Sequence, residues 1–286
     1  MQPLTRMATP ATLHRPNVPS KMIHNDVALT LRLATDTRDL RAAQRLRYEV
    51  FVAELQATGP MVDHAQRLEV DEFDPYFDHL LLIDPRRDPE TLSDVVGVYR
   101  LLPPEGFARI GRYYSEGEFD LSRLKASGRR LLELGRSCVH RDMRGGAAMF
   151  LLWNGLAEYV LERRIEVMFG AASFHGTDVA ALAQPLSLLH HFHRAPDALR
   201  VTPQPCSGPH GSPQRMDLLT EAQVDRVAAM AGIPALIKAY LRLGGFVSDG
   251  AWIDRDFNTI DVCLVMDTAR MSVKHRDFYT RKKGRE

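Results

Sequence analysis

The chain has little cysteine, no long apolar run and almost no net charge, and each absence argues against a class of protein. Its three cysteines, Cys138, Cys206 and Cys263, form no CxxC pair, which argues against a disulfide framework and a zinc site. No segment approaches the roughly 18 apolar residues that span a bilayer, and residues 1–26 lack the apolar centre of a signal peptide. We therefore expect a cytoplasmic protein without a metal site.

The composition is that of a globular protein, with 286 residues of which 45% are hydrophobic and 26% charged. Residues 1–26 are rich in Pro, Thr and Ala without periodicity, so we expect a disordered tail. Residues 27–270 alternate strand-like and helix-like segments and predict one α/β domain. Residues 271–286 form a basic C-terminal tail.

Residues 131–164 predict a strand, a basic turn and a helix. Alternating apolar residues predict the strand as far as about His140, and helical periodicity begins near Gly146. The turn between them contains two arginines and two glycines: Arg141, Arg144, Gly145 and Gly146. Because free N–H groups at a helix start bind anions, and glycine allows close approach, this turn is a candidate phosphate site for a thiol carrier. A solvated surface connection is the alternative.

The charge is concentrated near that turn. From Arg123 to Arg144, seven Lys or Arg stand against two acidic residues, which gives +5, whereas the whole chain has a net charge of +1. Such asymmetry indicates an acidic partner at this place. Nucleic acid is disfavoured because the stretch lacks interleaved aromatic residues.

A second charged feature is the acidic segment DEFDPYFD, which contains Asp71 and Asp74 and no basic residue. Arg100 stands alone in the apolar strand VVGVYRLL. Because a buried arginine must be paired, we expect the acidic segment to supply its partners. A solvated acidic loop is the alternative.

Ordered motifs give the chain a family resemblance. RLRYEVFVAEL, DEFDPYFDHLLL, VVGVYRLL and LELGRSCVH resemble motifs of the acyl-homoserine-lactone synthases, a branch of the GNAT acyltransferases. LLWNGLAEYV, ASFHGTD and LIKAYLRLGGFVSDGAWIDRDFNTIDVCLVMD closely resemble the bacterial L-ornithine N(alpha)-acyltransferases. The resemblance implies a GNAT-like α/β fold, with a twisted, mixed, mostly antiparallel sheet flanked by helices.

The resemblance also implies an activity. A fatty acyl group, typically 3-hydroxylated, would pass from the 4'-phosphopantetheine thioester of acyl carrier protein to the alpha-amine of L-ornithine, giving lyso-ornithine lipid. No cofactor would be bound permanently, and the amphiphilic product suggests transient contact with the inner membrane. The acyl-pantetheine arm would enter where the strands 131–139 and 165–174 diverge. An amine attacking a thioester needs no enzyme nucleophile, so we expect direct transfer.

The expected site residues combine both lines of argument. Glu133, next to the phosphate turn, is the candidate general base, and an ion pair with Arg136 or Arg100 is its alternative role. Ornithine has two amines and one carboxylate, so its pocket should present carboxylates and a cation. The substrate-binding residues expected by resemblance and charge are Arg47, Asp71, Asp74, Arg100 and Arg136.

Other functions stay open at this point. Autoinducer synthases usually have a tryptophan soon after the position of Phe51, which this chain lacks, and this disfavours adenosylmethionine as a substrate. The turn also departs from the usual GNAT pattern [QR]xxGx[GA]. Other N-acyl amino acid synthases, an acetyl-coenzyme A enzyme and a non-enzymatic haemolysin are rivals. Ser173, His175 and Asp178 suggest a hydrolase, although the pattern GxSxG is missing.

Overall fold

The computed structural model describes residues 20–24, 27–59, 61–144 and 147–270. The α-helices are α1 (Thr37–Arg47), α2 (Pro104–Ile110), α3 (Ser122–Ala126), α4 (Ala147–Glu162), α5 (Ala183–His193), α6 (Arg226–Gly232) and α7 (Ala235–Arg242). The first strands are β1 (Ser20–His24), β2 (Val27–Leu33), β3 (Val62–Asp63), β4 (Leu68–Glu69), β5 (Asp78–Ile83), β6 (Val95–Leu102) and β7 (Phe119–Asp120). The later strands are β8 (Leu131–Val139), β9 (Val167–His175), β10 (Thr202–Pro203), β11 (Gly211–Gln214), β12 (Phe246–Val247), β13 (Ala251–Asp254) and β14 (Thr259–Asp267).

In the described part of the chain, ten strands form one sheet in the order β1-β2-β5-β6-β8-β9-β14-β13-β11, with β12 also paired to β14. Its pairs are antiparallel apart from β8 and β9, which run parallel. This confirms the expected mixed, mostly antiparallel sheet. One boundary is corrected: residues 20–24, expected in the tail, pair with β2. The basic tail over 271–286 lies outside the described residues.

Helices cover both faces of the sheet. Because successive strand residues point to opposite faces, neighbouring residues of one strand pack against different helices. Leu80 and Leu82 of β5 belong to the core under α4. Leu81, between them, packs with Ala42 and Ala43 of α1 on the opposite face. Asp36 caps the N-terminus of helix α1, since its Oδ1 accepts the N–H of Asp39 at 2.8 Å.

The centre of the sheet is irregular, and this irregularity positions the site. Strand β8 has a bulge where it faces the stretch from Val98 to Arg100 of β6. Arg136 lies in this bulge and has a φ of 49°. The parallel pairing of β8 with β9 ends at Glu133 and Phe169. A Cβ on Gly170 would lie 2.1 Å from the carbonyl oxygen of Leu134, so only glycine allows this approach before the strands separate.

Candidate active site

The separation of β8 and β9 opens a cavity of about 250 Å³ in the middle of the sheet. Its walls come from β8, β9, β14, α7 and the turn after β13. Leu134 and Met168 line it near the α4 layer, whereas Arg136 and Tyr114 line it toward the acidic segment. A cavity therefore lies at the predicted divergence of the two strands.

The five residues expected to bind substrate come together in one buried ion-pair network. Arg47 Nη1 donates to Asp74 Oδ1 at 2.6 Å, and Arg100 Nη1 donates to the same oxygen at 3.0 Å. Arg100 also pairs with Asp71, which lies 3.5 Å from Arg136. The prediction that the acidic segment supplies the partners of Arg100 is confirmed.

The network contains a sixth member that the sequence did not reveal. Glu69, at the end of β4, is 3% exposed and pairs with Arg47 through one oxygen and with Arg136 through the other. Three arginines therefore face three carboxylates. Burial alone would raise the pKa of Glu69, but Arg47 and Arg136 outweigh it and hold the pKa below its usual value. The pKa of Asp74 is lowered in the same way, because the charges of Arg47 and Arg100 outweigh the effect of its burial.

Arg136 is the member of the network that reaches the cavity wall. Its Nη2 lies 3.3 Å from the hydroxyl of Tyr114, and its guanidinium lies over the rings of Tyr114 and Phe257, at 4.8 Å and 4.6 Å from their centroids. The other two arginines are 0% exposed. The network thus holds one cation at the cavity, while Arg47, Glu69, Asp74 and Arg100 stay buried.

Glu133, the expected base, lies beside the cavity and is absent from its lining. Its two oxygens accept the N–H groups of Tyr114 at 2.9 Å and Ser115 at 2.7 Å, and it is 1% exposed. Burial raises its pKa, against the effect of these hydrogen bonds. The ion pairs considered as its alternative role are not formed within the described residues. Its direct partners are therefore backbone amides of the segment that carries Tyr114.

A second group of carboxylates on the cavity wall was missed from the sequence. Oxygens of Glu118, Asp254 and Asp261 lie within 4.8 Å of one another, close enough to hold one cation. Burial first, and then repulsion from Asp254, raises the pKa of Asp261 to about 7. Burial and the same neighbours raise the pKa of Glu118. A signal did exist: Asp261 stands alone among apolar residues in NTIDVCLVM, as Arg100 does in its strand.

The predicted phosphate turn is only partly described. Arg144 pairs with Glu54, and its Nε donates to the carbonyl of Val139 at 3.1 Å. The side chain of Arg141 is 78% exposed. Gly145 and Gly146 lie outside the described residues, so an anion site at this turn stays a prediction.

Nucleophilic catalysis finds no support in the described side chains. Asp178 accepts the backbone N–H groups of Ala180 and Ala181, and no hydrogen bond joins it to Ser173 or His175 in the described part of the chain. Cys138 is 5% exposed, and burial raises the pKa of its thiol to about 12. A thiol that stays protonated is a poor nucleophile.

No helix within the described ranges is both long and apolar enough to cross a bilayer.

A family model described as an acetyltransferase (GNAT) domain matches residues 46–154. This stretch includes the end of α1, the acidic segment, β8 and the first half of α4. The match agrees with the fold.

Related sequences extend the likeness to most of the chain. An L-ornithine N(alpha)-acyltransferase from Rhodobacter capsulatus is 60% identical over 252 residues, which cover 88% of this chain and 95% of the relative. One from Brucella abortus is 39% identical over 88% of this chain and 89% of its own length. Among solved structures, the CoA-dependent acyl-homoserine lactone synthase BjaI is 17% identical, with a TM-score of 0.40 over 84% of this chain and 80% of its own. With such identity to curated relatives along nearly their whole length, the chain belongs to the L-ornithine N(alpha)-acyltransferase family of GNAT acyltransferases.

Proposed function

We propose that the protein transfers a 3-hydroxylated fatty acyl group from acyl carrier protein to the alpha-amine of L-ornithine and so forms lyso-ornithine lipid. The observation that carries this proposal is the cavity between β8 and β9, bounded by the cation of Arg136 and by buried carboxylates. An amino acid with one carboxylate and two amines matches that arrangement of charges. The names of the relatives support ornithine as the acceptor.

The donor arm enters along β8. Beyond Glu133 the described part of β9 no longer pairs with β8, so backbone groups of β8 face the gap. An extended arm with amide groups can occupy this gap as a further strand would. Arg141 and Arg144 lie after the end of β8, where the phosphate and the acidic surface of a carrier protein would be attracted.

A long acyl chain also needs apolar space next to the cavity. A groove of about 320 Å³ lies between α4 and α7, with Leu156, Val160 and Leu243 among its lining residues. Met168 and Tyr240 line both the groove and the cavity. The groove therefore lies next to the cavity, on the other side of Met168 and Tyr240, and we place the fatty chain there; an acetyl group would not require such a groove.

The transfer itself is direct attack by the amine on the thioester carbonyl. The C–N bond forms as the C–S bond of the thioester breaks, and the proton lost by the amine is transferred, directly or through solvent, to the departing thiolate of the carrier. Since an alpha-amino group titrates near about 8, a fraction is already neutral at pH 7 and the chemistry does not demand a dedicated base. Glu133 then acts as a positioning residue that fixes the segment of Tyr114, which revises its expected role as the base.

The ion-pair network has a positioning role as well. Arg47 and Arg100 both pair with Asp74 away from the cavity. Asp71 and Glu69 restrain Arg136, which binds the carboxylate of the acceptor. The amphiphilic product supports a cytoplasmic enzyme in transient contact with the inner membrane.

The test is an assay of the purified protein with 3-hydroxyacyl carrier protein, long-chain acyl-coenzyme A and acetyl-coenzyme A, each with a panel of amino acids. Mass spectrometry should find N-acylated ornithine made preferentially from the carrier-bound donor. Acetylated products alone would overturn the proposal in favour of a plain acetyltransferase. A homoserine lactone formed from adenosylmethionine would overturn it in favour of autoinducer synthesis.

A further inference from the structure

Glu118, Asp254 and Asp261 form a compact cluster of acid on one wall of the cavity, hereafter the acidic triad. Glu118 precedes β7, Asp254 ends β13 and Asp261 lies within β14, so three separate segments converge. Their exposed fractions are 8%, 8% and 4%. Three ionised carboxylates brought this close together and shielded from water repel one another, so the arrangement costs stability unless protons or another cation neutralise it.

The triad differs from the ion-pair network because, among the described residues, no arginine forms a direct ion pair with it. Within the described residues, Oε2 of Glu118 and Oδ1 of Asp261 are buried and accept no hydrogen bond. Asp254 is satisfied in part, since its Oδ1 accepts the N–H groups of Asp256 and Phe257. These two buried oxygens lie on the wall of a cavity and lack a hydrogen-bond donor. They therefore indicate a ligand that donates hydrogen bonds and carries positive charge.

Building on the proposed function, we propose that the acidic triad binds the side-chain ammonium of the acceptor and selects amino acids with a terminal amine. An ammonium group offers three N–H donors to three carboxylates. Arg136, on the same cavity, binds the carboxylate at the other end of the acceptor, which leaves the alpha-amine between them. A divalent metal is the less suited occupant, because the positive charge of Arg136 in the same cavity opposes it.

The test compares L-ornithine with L-norvaline, which has the same length of side chain and lacks the terminal amine. With the acyl carrier donor, the wild-type protein should prefer ornithine by about 100-fold or more in kcat/KM, because a site built for a polar group rejects an analogue without it. Asp261→Asn and Glu118→Gln should each lower kcat/KM for ornithine at least about tenfold. In each variant the ratio of kcat/KM for ornithine to kcat/KM for norvaline should fall at least about tenfold, so the preference collapses.

Asp267→Asn is the matched control, since Asp267 ends the same strand and pairs with Arg129 away from the cavity. It should keep the preference for ornithine. Equal use of ornithine and norvaline by the wild-type protein would overturn the inference, and so would triad variants that lose both activities equally. Loss of the preference on chelation with EDTA, restored by Mg²⁺ or Ca²⁺, would also overturn it and assign the triad to a metal.

Calorimetric titration without any acyl donor separates this inference from the proposed function. Ornithine should bind the wild-type protein at least about tenfold more tightly than norvaline, and Asp261→Asn should remove that difference. If this binding pattern appears while no amino acid is acylated, the inference stands and the proposed function fails. If ornithine is acylated and the triad variants retain the preference, the proposed function stands and the inference fails.

Discussion

Arg136 donates from Nε to Oε1 of Glu69 at 3.1 Å, and this contact ties the bulge of the central strand to β4. The opposite oxygen of Glu69 pairs with Arg47 of α1. Glu69 therefore contacts both Arg136, at the cavity wall, and the buried Arg47. Side chains that never touch a ligand can in this way determine where Arg136 points.

Replacing Arg47 should reveal how strongly this network is coupled to folding. Arg47→Met leaves Glu69 and Asp74 buried without that partner, so we expect the free energy of unfolding to fall by about 3–5 kcal/mol. Arg45→Met, on the same helix, removes a partly exposed arginine that pairs with Glu49 and should cost less than about 1 kcal/mol. Urea denaturation measures both, and equal midpoints would contradict the coupling.

The close approach at Gly170 gives a second prediction. Gly170→Ala places a Cβ against the carbonyl of Leu134, so β9 must shift at the point where the cavity opens. We expect a loss of about 1–3 kcal/mol of stability and a fall in acyl transfer. Gly208→Ala is the control, since a Cβ at that position would have no neighbouring atom within 4 Å among the described residues. A Gly170→Ala protein with wild-type stability would show that the strands have room to spare.

Charge reversal tests the surface proposed for the carrier. Arg141→Glu should raise KM for the acyl carrier donor about tenfold and leave KM for ornithine unchanged, because rim charges act mainly on encounter. Arg215→Glu provides the comparison: its side chain is 81% exposed, against 78% for Arg141, and lies outside this turn. The difference between the two variants should shrink as salt is added. Identical kinetics for both would argue against a carrier surface here.

Glu133→Gln distinguishes a positioning residue from a base. Gln offers one acceptor oxygen to the two amides of Tyr114 and Ser115, so stability should fall by about 1–3 kcal/mol. If Glu133 only positions that segment, kcat declines while the pH profile of kcat keeps its shape. Loss of the ascending limb of the profile would restore Glu133 as the base.

The raised pKa of Asp261 predicts a pH-dependent stability. Its folded pKa of about 7 lies above the ordinary 3.8, so its contribution to stability is complete below the ordinary value and is lost as pH rises through about 7. Asp261→Asn escapes this loss and should exceed the wild-type protein by up to about 4 kcal/mol at pH 8. The gap should close near pH 4. Thermal unfolding across this range measures it, and a gap independent of pH would contradict the assignment.

Local patterns predicted most of the fold and part of the site. Period-two alternation located β8, and the isolated Arg100 in an apolar strand predicted its acidic partners. The bulge at Arg136 could not be predicted from the sequence, because tertiary contacts impose a positive φ on a residue that is not glycine. Glu118 and Asp261 lie far apart in the chain, and no periodicity reports the convergence of such segments.

The short parallel pairing of β8 and β9 has a mechanical consequence. Within the described sheet, three residue pairs join the half that carries Arg136 to the half that carries Asp254 and Asp261. This short pairing forms a seam between the two halves of the sheet. An acceptor bound at both ends would contact both halves and stabilise the seam for as long as it stays bound. Backbone amides of β9 and β14 next to the seam should then exchange hydrogen more slowly when the acceptor is bound.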